Sequence, residues 1–357
     1  MKLQSLILPL AMSVTLSCCQ HKAPVVETSE QTVIWDTADL TNDFYDNEPP
    51  VSLATAAAVR IEGEVAEPAG VSLEGLPVHS LIVKETSFTN NEVAFIGAYR
   101  YDGVSLLDLL NRVKVVKKNA AVFNPIIDLY VTVYGSAGDS AVFSWGEIYY
   151  PVNLHHIIIA NSVTRIVPTK SKDKWPLPQK ARLIAGTDLV TVRNISDPVR
   201  IVIRSLNVDY KVDRSIKLWS PSIAVAGIGE NPAVVSELPE NQDQSVFEHV
   251  FYGRGMGIHG ITQTSGTDLK ILLASRLQPT ENLYRTGLLA VAGIDGYRCA
   301  VSWSEVFNRN DNAGVILRDR GKDQDGGRFS CLFTADFFSD RAIKSITEIR
   351  LLQGGGQ

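Results

Sequence analysis

The chain has little cysteine, no surplus of positive charge and, past its N-terminal segment, no long apolar run. Of 357 residues four are cysteine, and two of these, Cys18 and Cys19, are adjacent near the start. The other two, Cys299 and Cys331, cannot supply a tetrahedral zinc site alone, and none of the six histidines lies near either in sequence. No metal site is therefore expected. The net charge of −5 denies the chain the basic field that holds phosphates, which excludes nucleic acid as a partner. No later stretch reaches about 18 uninterrupted apolar residues, so no further helix spans a membrane. P-loop, dinucleotide-binding and nucleophile-elbow patterns are absent, and no catalytic residue is assigned.

What is present begins with "MKLQSLILPLAMSVTLSCC": one Lys, a short apolar run, small residues, then cysteine. This reads as a secretory signal, too short to span. Its end in Cys instead of A-x-A resembles a bacterial lipoprotein signal, in which the cysteine becomes the lipidated first residue. Cys18 is preferred and Cys19 also fits. The expected organisation is a signal peptide over 1–18 and a polar, acidic tether over 19–57. A lipid there would hold the protein on a membrane of the bacterial cell envelope, facing the periplasm or the exterior. Export permits a disulfide. For Cys299 and Cys331, a bridge between strands and two buried thiols fit equally.

The body reads as two copies of one unit. "DGVSLLDLLNRV" (102–113) matches "SGTDLKILLASRL" (265–277), pairing Gly103 with Gly266 and Leu106, Leu109 and Leu110 with Leu269, Leu272 and Leu273. The i, i+3, i+4 spacing predicts a helix opened by a glycine turn. Each copy then predicts a hairpin about Gly138 or Gly296. Asp188, Arg193 and Ile195 match Asp336, Arg341 and Ile343, and each copy closes on an apolar strand. The copies are placed at 58–212 and 213–352, with a tail at 353–357, and the class is α+β.

The run "RIEGEVAEPAGVSLEGLP", "YDGVSLLDLL", "ARLIAGTD" and "RNI…RIVI", with "GTDLKILL", "DGYRCAVSWSEVF" and "DRAIKSITEI" in the second copy, resembles the molybdopterin-binding domain of the sulfite oxidase type. The resemblance covers roughly 58–352. It implies two tandem copies of a mixed α/β molybdopterin-binding fold, and a cysteine thiolate on molybdenum. In the window where that cysteine belongs, the first copy has Asn90 and Asn91, and the second has none. Asparagine is no substitute for a soft sulfur ligand. Binding of the pterin alone would fall to basic side chains. The candidates are Lys180 and Arg182 in "TKSKDKWPLPQKAR", Arg254 and His259 in "YGRGMGIHG", and Asn91. No cofactor is assigned; molybdopterin is the one the resemblance implies. The reading is a non-catalytic envelope lipoprotein that binds a small ligand or an envelope protein. The alternatives are a molybdopterin oxidoreductase with an unusual metal ligand and a structural envelope component. His155 and His156 are adjacent, so on a strand they face opposite ways and do not share a metal.

One motif occurs twice: Ser144-Trp145-x-Glu147 and Ser302-Trp303-x-Glu305. Ser-x-x-Glu is the capping-box pattern, with the serine on the third residue's N–H and the glutamate reaching back. These four residues are read as structural caps, since no histidine accompanies either serine as a base.

Overall fold

The computed structural model describes residues 45–90, 92–227, 231–239, 245–253, 257–321 and 327–354. The first half runs β1 (Tyr45–Asn47), β2 (Val51–Ser52), β3 (Val59–Gly63), β4 (Ala69–Val71), β5 (Val78–Thr89), β6 (Glu92–Ser105), α1 (Leu106–Leu110), β7 (Leu129–Gly135), β8 (Ser140–Ser144), α2 (Trp145–Tyr149), β9 (Ile157–Pro168), β10 (Arg182–Ala185) and β11 (Pro198–Ser205). The second runs β12 (Ile223–Ala226), β13 (Ala233–Val235), β14 (Ser245–Gly253), β15 (Gly257–Asp268), α3 (Leu269–Ala274), α4 (Glu281–Thr286), β16 (Gly287–Gly293), β17 (Arg298–Ser302), α5 (Trp303–Phe307), β18 (Val315–Asp319), β19 (Phe329–Phe333) and β20 (Ile346–Gln353).

The sheet orders repeat. In the first half β4-β3-β11-β7-β8 form one sheet; in the second, β13-β12-β20-β16-β17 form its counterpart. In each half an early strand and the last strand pair in parallel, β3 with β11 and β12 with β20. A second sheet, β5-β6-β9 with β10, β1 and β2 also on β9, corresponds to β14-β15-β18-β19. The halves are not separate bodies. Asp43–Gln357 is one compact unit, and a single apolar core joins Val59, Ile61 and Ile203 to Ile223, Leu289 and Ile349.

The α+β class, and with it the mixed α/β molybdopterin-binding fold that the resemblance implied, is overturned. Among the described residues strand makes up 47% and helix 12%, in four small sheets with a propeller-like arrangement. The apolar stripes at Leu106, Leu109, Leu110 and at Leu269, Leu272, Leu273 are helical and buried. They last only five and six residues. A stripe of three leucines fills one turn and a little more, and its flanks are free to be strand. Residues 102–105, read as the glycine turn, are the end of β6. Gly103 is needed because a Cβ there would lie 2.2 Å from the Ile159 carbonyl oxygen. The same holds at Gly266, 2.1 Å from the Leu317 oxygen. Both glycines therefore mark a close approach of strands. The hairpins about Gly138 and Gly296 are present, each turn with positive φ.

Residues 45–57 were assigned to the tether. Instead β1 and β2 pair with β9, and Leu53 is buried. The signal, Cys18 and Cys19 lie outside the described residues.

Candidate functional site

The repeated Ser-Trp-x-Glu motif brings the two halves together. Ser144 ends β8 and caps α2, accepting from the Glu147 N–H at 2.9 Å. Ser302 ends β17 and caps α5, accepting from the Glu305 N–H at 3.2 Å. Each serine hydroxyl then donates to the other half: Ser144 to Glu305 at 2.5 Å, Ser302 to Glu147 at 2.8 Å. The capping box is complete only at Ser302, whose N–H donates to Glu305. In the first half, Glu147 turns to Arg193 instead.

Arg193 donates to Glu147 at 2.6 Å and to Asp188 at 2.5 Å, and Arg341 donates to Glu305 and Asp336, each at 2.7 Å. The guanidiniums lie over the rings of Phe143 and Phe333. Backbone bonds repeat the exchange. Leu189 N–H donates to Asn308 and Phe337 N–H to Tyr150; Asn310 N–H donates to Thr187 and Val152 N–H to Ala335. Five of the six residues are buried; the sixth, Asp336, is half-buried with its side chain covered. Burial pushes Asp188 up to about 6, against the pull of Arg193. It raises Glu305 and Asp336 as well. Glu147 goes the other way: burial would raise it, but Arg193 and Ser302 together hold it low. The serines have carboxylate partners yet no path to substrate, since both are almost fully buried. Ser144, Ser302 and Glu305 act as the caps expected of them, Glu147 does not, and the centre is also the seam between the halves.

A second cluster was not foreseen. His79 on β5, Asp108 in α1 and His155 just before β9 converge, with one donor atom of each within 4.8 Å of the others. His79 Nε2 lies 2.9 Å and His155 Nδ1 3.6 Å from the same Asp108 Oδ2. The two rings stack at 3.9 Å. Ser105, the α1 cap, donates to that oxygen at 2.6 Å. Burial alone would raise Asp108, but the bonds from Ser105 and His79 outweigh it and hold its carboxyl below the usual range. Burial, and then the neighbouring His79, push His155 down, against Asp108. His156 turns away into the interior, where it meets the Asn153 carbonyl. The two adjacent histidines serve different places, though they lie in the turn before β9 and not on a strand, where the sequence reading had placed them. The sequence carried one local signal, the Ser105-x-x-Asp108 cap. The partners of Asp108 lie 29 and 47 residues off and meet it only through the β5–β6 and β6–β9 pairings.

Of the ligand candidates, only Lys180 and Arg182 have described side chains, and each is paired with a carboxylate. Lys180 pairs with Asp197 at 2.8 Å, and Arg182 with Glu85 at 3.0 Å. Asn91, Arg254 and the side chain of His259 lie outside the described residues. Lys180 and Arg182, each already paired, offer no unpaired cation to a pterin phosphate. Cys299 and Cys331 are free, buried thiols, so the bridge is not formed. Burial pushes Cys331 up to about 12 and Cys299 well above its usual value, which leaves both as inert apolar groups.

Comparison with known proteins found no matching family model and no matching curated protein.

Proposed function

We propose that the chain is a non-catalytic binding protein of the bacterial cell envelope. In this reading a lipid at Cys18 (or Cys19) anchors it, and an extended segment of a partner protein adds to β5. The observation that carries the reading is the exposed edge. β5 ends its sheet and, among the described residues, pairs only with β6. Its residues alternate, with Val78, Ser80, Ile82 and Lys84 outward. Val78 is 62% and Ile82 65% exposed. An edge strand with apolar side chains is a template for strand addition, in which the main chain supplies bonds and alternate side chains supply selectivity. The corresponding edge strand β14 also carries outward valines, Val246 and Val250, with Ile261 across from Val250 on β15. The aromatic recess between Tyr252, Phe337 and Phe338 holds only about 30 Å³, so a small ligand would instead need the open cleft of about 760 Å³ lined by Glu62, Glu64, Lys118 and Arg204.

A photo-crosslinking residue at Lys84, in cells carrying the full chain, is expected to give one adduct of discrete mass. Ile82→Asp should abolish it without lowering the melting temperature. Absence of an adduct, or an adduct indifferent to Ile82→Asp, would overturn the reading.

A further inference from the structure

We propose that His79, Asp108 and His155 form a binding site for one first-row divalent transition-metal ion with the ligand preferences of zinc. Two imidazoles and one carboxylate suit such an ion, whereas calcium and magnesium ask for more oxygen ligands than one carboxylate supplies. The donors come from three separate elements, β5, α1 and the segment before β9. Zinc holds nitrogen and oxygen ligands at about 2.0–2.2 Å, which sets ligand atoms around one ion roughly 3–3.5 Å apart. The separations of 2.9 and 3.6 Å from Asp108 Oδ2 are already close to that. The ion enters by a rotation of the stacked rings that turns both nitrogens toward a common point. Ser105 fixes the carboxylate through its hydroxyl, the outer contact that such sites use to orient a ligand. All three residues are half-buried, so the ion stays reachable and one position remains open for water or a donor group from outside.

The duplication supplies an internal control. The Ser-Glu-Arg-Asp centre is present in both halves because the fold requires it. The histidine cluster is not. His79 pairs with Gly103 as Ser245 pairs with Gly266. Asp108 is the third residue of α1, as Ile271 is of α3; His155 stands two before β9, as Ala313 stands two before β18. The second half thus builds the same sheet and helix with Ser, Ile and Ala. Packing does not demand two histidines and an aspartate here.

The test uses the full chain, stripped with chelator and titrated with zinc alone. Calorimetry with elemental analysis should return one equivalent at this cluster, and zinc should raise the melting temperature by mass action. His79→Ala and His155→Ala should each weaken binding at least about tenfold, while His259→Ala should leave it unchanged. Binding that survives the double variant His79→Ala/His155→Ala, or no binding at all, sinks the proposal. Nitrogen-detected NMR of the unmodified chain tests it without any variant. Zinc must shift the imidazole nitrogens of both His79 and His155, and unshifted signals also sink it.

Discussion

Asp188 shows what a single side chain reveals here. The sequence matched it with Asp336, and Arg193 with Arg341, but gave neither pair a role. In the structure these charges face inward. Four carboxylates share two guanidiniums at the centre, and an isolated buried charge there would be costly. Burial sets the Asp188 carboxyl near 6, above its value of about 3.9 in an unfolded chain. Between those two pH values the folded state holds a proton that the unfolded state has released. Its contribution to stability is therefore full below about pH 4 and falls as pH rises to about 6. Urea unfolding across that range should show this decline, and Asp188→Asn should make it shallower, leaving the part that the raised Glu305 and Asp336 carboxyls contribute. An unchanged slope in the variant would show that Asp188 ionises normally. No reading of one sequence could supply this value, because it depends on partners from both halves.

Short helices were the most and the least legible elements. Ser-x-x-Glu identified the starts of α2 and α5 because a cap is decided within four residues. The leucine stripes of α1 and α3 were also read as helix, and their lengths were overstated, which tilted the class toward α+β. Hairpins about Gly138 and Gly296 were legible for the same local reason. Sheet order was not, since β3 meets β11 only after the whole first half has intervened. The caps themselves do more than local chemistry foretells, because each serine proton serves the opposite half. Ser144→Ala and Ser302→Ala should each cost about 0.5–2 kcal/mol from the lost cap, and more where the opposite glutamate loses its donor. Chemical denaturation of the two single variants and the double should show non-additivity, as expected for residues in one network. Strict additivity would mean that the two caps act independently.

At the scale of the molecule, duplication was plain from the matched blocks, whereas the joining of the copies was hidden. Pattern matching finds like with like, and the seam joins unlike atoms: serine to glutamate, carbonyl to N–H. The seam also holds a buried ion cluster in which Asp128 of the first half binds Lys117 and Arg298. Residues from both sides surround it in one core. Neither half is therefore expected to fold alone. Residues 43–212 and 213–357, expressed separately, should show little cooperative unfolding, and mixed together they should recover it. A cooperative transition in either fragment alone would refute this.

The reciprocal bonds across the seam have a consequence for ancestry. When Ser144 reaches Glu305 and Ser302 reaches Glu147, one patch is meeting a copy of itself, the relation found in a twofold-symmetric homodimer. The two halves are related as the subunits of such a dimer are, within one chain joined through residues 206–222. Joining releases a constraint that symmetry imposes, since a change in one subunit no longer has to appear in the other. That freedom is what allows His79, Asp108 and His155 to stand in one half, opposite Ser245, Ile271 and Ala313 in the other, while the seam keeps its old symmetry.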